Sequence, residues 1–157
     1  MSALKSVLLA IDVATRKRDQ AGKQLVRAQR ARQFAQGQLD QLESYAADSD
    51  ARWTAGAQIS TTPGLLQHHY QFMGRLRDAI AMQNSVMADL ERQLEAARQL
   101  TLTAEFRLAG LRKVMSKKLA DIAVTTARRE QKQMDEFAAM QFARTASGPN
   151  WEKYHEC

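Results

Sequence analysis

Apolar residues along the first 57 positions recur at alternating separations of three and four: Leu4, Val7, Ile11 and Ala14, then Ala21, Leu25 and Ala28, then Ala35, Leu39, Leu42 and Ala46. That recurrence draws one narrow stripe along a helix and matches the a and d positions of a heptad, so it predicts a helix packed lengthwise on another. Arg18 and Arg32 stand at two steps where the repeat calls for apolar side chains. A second series starts at Leu65 and passes Phe72, Leu76, Ala79, Val86, Leu90, Leu94 and Ala97, then Leu108, Leu111, Met115, Leu119 and Ile122. Its spacing changes phase, which predicts stutters rather than one uniform repeat.

Residues 1 to 62 and 64 to 148 contain no proline, and their vocabulary is Ala, Gln, Arg, Leu, Met, Lys and Glu, the residues that lose least on entering a helix. The break between them, Ser60-Thr61-Thr62-Pro63-Gly64, is readable as chemistry. Thr62 can accept a hydrogen bond from a free amide as N-cap, Pro63 suits a first helical position where its missing N–H costs nothing, and Gly56 loosens the preceding end. The expected fold is therefore all-α: an antiparallel coiled-coil hairpin with a first helix over 1–57, a turn over 58–64 and a long second helix over 65–144. Residues 145–157, opening with Ser147-Gly148-Pro149 and containing Trp151 and Tyr154, are expected to be a disordered polar tail. Glycines at 22, 37, 74 and 110 each cost about 1 kcal/mol relative to Ala in a helix interior, so the coil is not built for maximum stiffness.

Antiparallel limbs joined by one turn pair residues whose numbers sum to about 120. On that rule the first helix runs out opposite residue 115, and the second overhangs from there to 144 by on the order of 40 Å at 1.5 Å per residue. A lone helix in water is expected to be polar all round, yet this stretch carries Leu119, Ile122, Val124, Met134, Phe137, Met140 and Phe142. It reads as a surface prepared for a partner; packing on the first helix after a register shift and fraying of the segment are the competing readings.

Only 6% of the 157 residues are aromatic while 45% are apolar, which furnishes a two-helix seam but little for a compact core. No run of about 18 apolar residues suits a bilayer, and the N-terminus lacks a signal peptide's apolar block, so a cytoplasmic protein with no direct membrane insertion is expected. Catalytic chemistry finds no foothold: there is no phosphate-cradling Gly loop, nucleophile elbow or paired carboxylates, and neither an enzyme nor a cofactor is expected. His68 and His69 are adjacent, hence about 100° apart on a helix, and cannot form an i, i+4 metal pair. The single Cys157 has no partner for a disulfide. The methionines sit on helical spacings and read as seam filler or soft contact surface.

Charge is uneven. Residues 1 to 36 carry eight Lys or Arg against two acids, residues 37 to 56 four acids against Arg52, and residues 105 to 132 eight basic residues against three acids. The ends distal to the turn are therefore basic, and the net charge is +6. A pI near 9.8 suits an acidic protein rim; nucleic acid is not an expected partner, because no recognition motif or aromatic stacking set accompanies the charge.

The run Arg128-Arg129-Glu130-Gln131-Lys132-Gln133-Met134-Asp135-Glu136-Phe137-Ala138 resembles the closing signature of the flagellar FliJ proteins, the small coiled-coil subunits of the flagellar type III export ATPase complex. Gln38-Leu39 with Leu42 and Tyr45, then Tyr70-Gln71-Phe72 with Leu76 and Ala79-Ile80, are similar to that family's first-helix and post-turn segments, and the likeness spans roughly residues 3 to 144. The resemblance implies a stalk: a two-helix coil whose paired termini enter the export ATPase hexamer and promote its activity, while another surface contacts the cytoplasmic part of the membrane export gate, with an export-chaperone role besides. It implies a place at the flagellar base, peripheral to the inner face of the cell membrane. It assigns gate contact to Gln38, Leu42, Tyr45, Phe72, Leu76 and Ala79, and ring contact to Arg128, Arg129, Gln131, Lys132, Met134, Asp135 and Phe137. Ser49 and Gln83 depart from the family pattern, which has Tyr and His there. Two alternatives stand beside this reading: the equivalent stalk of a virulence type III secretion apparatus, and a generic basic coiled-coil adaptor or nucleic-acid-associated protein.

Overall fold

The computed structural model describes residues 2–57 and 59–147. They form two α-helices, α1 (Ser2–Ala57) and α2 (Pro63–Ala146), with no strand among them. The tail expected at 145–157 lies outside the described residues from Gly148 onward, and Ala146 still belongs to α2. The turn follows its predicted chemistry. Thr62 Oγ1 accepts from the Leu65 amide at 3.3 Å, and Thr62 O accepts the first i,i+4 bond of α2 from Leu66 at 3.0 Å, so Thr62 is the N-cap and Pro63 the first helical residue. Gly56 O receives the amides of Ile59 and Ser60 at 3.0 and 3.1 Å, which satisfies a carbonyl at the end of α1.

The chain divides into two compact units, Ile11–Ala109 and Met1–Ala10 with Gly110–Cys157. In the first unit the limbs run antiparallel at the expected level: Arg32 Nε pairs with Glu91, Gln83 Nε2 donates to Ala35 O at 2.9 Å, and the rings of Tyr45 and Phe72 lie 5.9 Å apart. On α1 the buried and half-buried positions step by three and four from Ile11 through Ala14, Arg18, Ala21, Leu25, Ala28, Arg32, Ala35 and Leu39 to Leu42. On α2 they do the same through Met73, Leu76, Ile80, Gln83, Met87, Leu90, Leu94, Ala97, Thr101, Ala104 and Leu108. The stutters expected in the second series are absent. Gln83, Met87, Thr101 and Ala104 occupy steps that a count of the larger apolar residues passes over, whereas Val86 and Leu65 are exposed.

Alanine stands at every seventh residue of α1 at 14, 21, 28 and 35, and the small side chain lets the facing helix approach the backbone closely. The approach is visible in the bonds that cross the seam. Thr101 Oγ1 lies 2.8 Å from Ala97 O and 3.3 Å from Ala21 O, sharing one proton between its own helix and the opposite one. Gln83 Nε2 reaches Ala35 O and, at 3.3 Å, Gln38 Oε1. Gln83, Thr101 and Arg32 are thus satisfied across the seam, and no buried side-chain nitrogen or oxygen among the described residues lacks a partner. Leu94, Leu108, Met87 and Leu39 supply the apolar burial, at about 1.5–3 kcal/mol for each large side chain taken out of water.

In the second unit, Leu4, Val7 and Ala10 of α1 are half-buried, as are Leu111 and Lys118 of α2, and Met115 is buried. From Leu119 to Ser147 every residue is exposed.

Candidate functional site

Two surfaces carry the residues picked out by sequence. The first lies on α2 beyond Lys118. Continuing the seam by its own three-and-four step leads to Ile122, Thr125, Arg129, Lys132 and Glu136, so four successive seam positions turn polar. Helix pairing has no apolar stripe to follow there, which is why burial stops at Lys118. The large apolar side chains have moved off that line: Phe137 stands one residue, about 100°, past Glu136, and Met134 lies farther round, two residues from both Lys132 and Glu136. Met134 and Phe137 line a shallow groove with Glu130, Gln133, Ala138 and Gln141, and Met134 and Phe137 are 67% and 61% exposed. Met140 and Phe142 follow, also exposed.

Of the residues assigned to the ring, Met134 and Phe137 share this groove. Arg129 and Lys132 fall on the old seam phase, and Arg128, Gln131 and Asp135 lie on the remaining faces, where Gln131 Nε2 donates to Asp135 Oδ1 at 3.0 Å. All seven are exposed. The expectation that this stretch is basic does not hold. Arg128, Arg129, Lys132 and Arg144 are matched by Asp121, Glu130, Asp135 and Glu136, and the basic excess of the region sits earlier, at Arg107, Arg112, Lys113, Lys117 and Lys118. What the exposed stretch of α2 offers is apolar contact rather than charge.

The second surface straddles both limbs near the turn. Tyr45 and Phe72 meet edge to face, at 5.9 Å and 81°, with Tyr45 exposed and Phe72 half-buried. Gln38 is exposed and tied to Gln83, while Leu42 and Ala79 are half-buried. A shallow groove runs along Gln38, Gln41, Leu42, Tyr45 and Gln83. Five of the six residues assigned to the gate thus present some surface; Leu76, at 8% exposed, is in the seam and supports the others from beneath. Closer to the turn, the Trp53 and His69 rings stack at 4.3 Å and 8°, and His69 Nε2 lies 3.9 Å from Asp50 Oδ1. No Asp, Glu, Lys or Arg occurs from Trp53 to Gly74, and Ile59, Leu65 and Tyr70 are exposed within that span. Among the described residues no three His, Cys, Asp or Glu side chains come together as a metal site, and no helix is long and apolar enough to cross a membrane.

A family model described as Flagellar FliJ protein matches residues 1–147. The chain belongs to the FliJ family. It is therefore a component of the flagellar protein export apparatus. Neither the curated proteins nor the solved structures searched returned a match. Within the FliJ frame, both departures from the family pattern fall on the seam: Ser49 is half-buried on α1, and Gln83 is the amide that crosses to Ala35 and Gln38. The Trp53–His69 stack escaped sequence reasoning, although His69 lies two heptads before Gln83 on the same seam phase.

Proposed function

We propose that this FliJ protein is the stalk that couples the export ATPase to the export gate, with no catalytic step of its own. The exposed stretch of α2 enters the ATPase hexamer and promotes its turnover, with Met134 and Phe137 as apolar anchors and Arg128, Arg129, Gln131, Lys132 and Asp135 around them. The reading rests on one observation above all: from Leu119 to Ser147 the helix is fully exposed, yet keeps large apolar side chains on a face that its own seam does not use. A helix holding such residues in water gains by burying them in a partner. Gln38, Leu42, Tyr45, Phe72 and Ala79, backed by Leu76, form the gate-facing surface, with the edge-to-face Tyr45–Phe72 pair as its aromatic anchor. Handling of export chaperones is a further role in keeping with the family, and the site of action is peripheral to the inner membrane face at the flagellar base. The flagellar rather than the virulence version of the stalk is supported by the family match.

Removal of residues 128–147 tests the proposal. The shortened protein should keep its helical signal and melting temperature, since none of the removed residues is buried, while losing stimulation of the cognate ATPase measured as phosphate release. Equal stimulation by both forms would refute the assignment.

A further inference from the structure

The whole net charge of the chain is equalled by one short stretch. Residues 16–32 hold seven basic side chains against Asp19, a balance of +6, and they lie on α1 within the unit Ile11–Ala109. Three of them are committed: Arg16 to Asp12 at 2.9 Å, Arg18 to Asp19 at 2.9 Å, and Arg32 to Glu91. Lys23, Arg27 and Arg30 have no carboxylate within ion-pair distance among the described residues. They stand at i, i+4 and i+7, so they fall along one face of α1. That face opens on a groove between the two limbs, floored by Gly22, Val26 and Thr101 and edged by Glu105 on α2.

The floor has the shape a third helix needs. Gly22 has no Cβ, and the space where one would stand is empty to 4 Å, so an incoming backbone can lie close to α1 there. Val26, one turn on, is 42% exposed and offers an aliphatic ridge beside it. A helix laid in the groove would rest small or aliphatic residues on Gly22 and Val26 and meet the three cations with its flank. We infer that this groove docks an acidic amphipathic α-helix of another protein, with carboxylates spaced i, i+4 and i+7 opposite Lys23, Arg27 and Arg30. The inference stands apart from the ring and gate contacts, which use other residues.

A nucleic acid strand is the competing anion, but the groove offers it no aromatic ring to stack on. The full chain is titrated against a fluorescent helical peptide carrying Glu at i, i+4 and i+7 with Ala and Leu between, and in parallel against a single-stranded oligonucleotide. Anisotropy should report peptide binding that is weakened at least tenfold by the double change Arg27→Glu with Arg30→Glu, and by raising salt from 50 to 500 mM. Gly22→Leu keeps every charge but fills the floor; it should also weaken the peptide at least fivefold while circular dichroism shows helicity kept or raised. Binding unchanged by the charge reversal, or unchanged by Gly22→Leu, overturns the inference, the second because mere attraction to a basic surface would survive a filled groove. Tighter binding of the oligonucleotide than of the peptide overturns it in favour of nucleic acid. Self-association of the protein abolished by the charge reversal, read by sedimentation, overturns it in favour of a second copy.

Discussion

Replacing Gly37, Gly74 and Gly110 together by Ala should stabilise the protein. All three are interior to long helices, none has a positive φ, and a Cβ built on each meets nothing within 4 Å. Nothing in the fold therefore uses the freedom that glycine brings, and the cost it imposes is that of a residue with a wide unfolded ensemble and no side chain. At about 1 kcal/mol for Gly against Ala in a helix interior, the triple change should add roughly 2–3 kcal/mol. The three sites are well separated, and the increments should add to within about 0.5 kcal/mol. For a chain of this size that corresponds to a rise in melting temperature on the order of 5–10 °C, followed by circular dichroism at the helical minimum. Gly22 is left unchanged because it floors the groove proposed for an acidic helix. A melting temperature that stays level or falls would mean that one of these positions is not an open helical site, and the single variants would identify which. The loss would then show that the coil depends on a bend at that residue.

Leu108 is the most completely buried side chain among the described residues, at 2% exposed, and Leu108→Ala should cost about 2–4 kcal/mol by urea denaturation, whereas Phe137→Ala should change stability by less than about 0.5 kcal/mol. A comparable loss from both would show that Phe137 packs on its own chain. Gln83→Ala removes the amide that crosses to Ala35 and Gln38; a cost of about 1 kcal/mol is expected, with faster amide exchange on α1 around Ala35, and unchanged exchange there would exclude a register role. Tyr45→Ala with Phe72→Ala should lower affinity for the cytoplasmic part of the export gate at least tenfold in a pull-down titration while helicity holds, since the pair is the surface's aromatic anchor. Undiminished binding would dismiss that surface.

Much of the fold was legible because its signals are local. Thr62 and Pro63 announced where α2 begins, and the antiparallel level near a sum of about 120 follows from a single short turn. The seam was harder, for a physical reason. Counting apolar residues alone could not place Gln83 and Thr101, and the gaps looked like stutters; the cross-helix bonds to Ala21 and Ala35 reveal that polar side chains can hold seam positions. The contact surfaces were legible unevenly. Tyr45 and Phe72 do meet, and Leu76, which the heptad series already places on the seam, is buried there although the family resemblance assigns it to the gate contact. The charge of the exposed stretch was misjudged by summing over residues 105 to 132, which merges the cations before Leu119 with a balanced helix after it.

That balance changes how the proposed stalk would work. A seam that carried apolar residues on through positions 125, 129, 132 and 136 would invite pairing with any free coiled-coil helix, including another copy of α2. Thr125, Arg129, Lys132 and Glu136 close that route, and Met134 and Phe137 reopen contact off the seam line, on a face whose groove is edged by Glu130, Gln133 and Gln141. A partner must then match the new face rather than the old repeat, which is how a helix can stay unpaired until it meets its ring. Because the exposed stretch of α2 carries as many acids as bases, its affinity would come from apolar burial and vary little with salt, whereas Lys23, Arg27 and Arg30 would give the groove on α1 a steep salt dependence. The proposed surfaces thus choose partners by different physics: apolar on the exposed stretch of α2, aromatic near the turn, and cationic between the limbs.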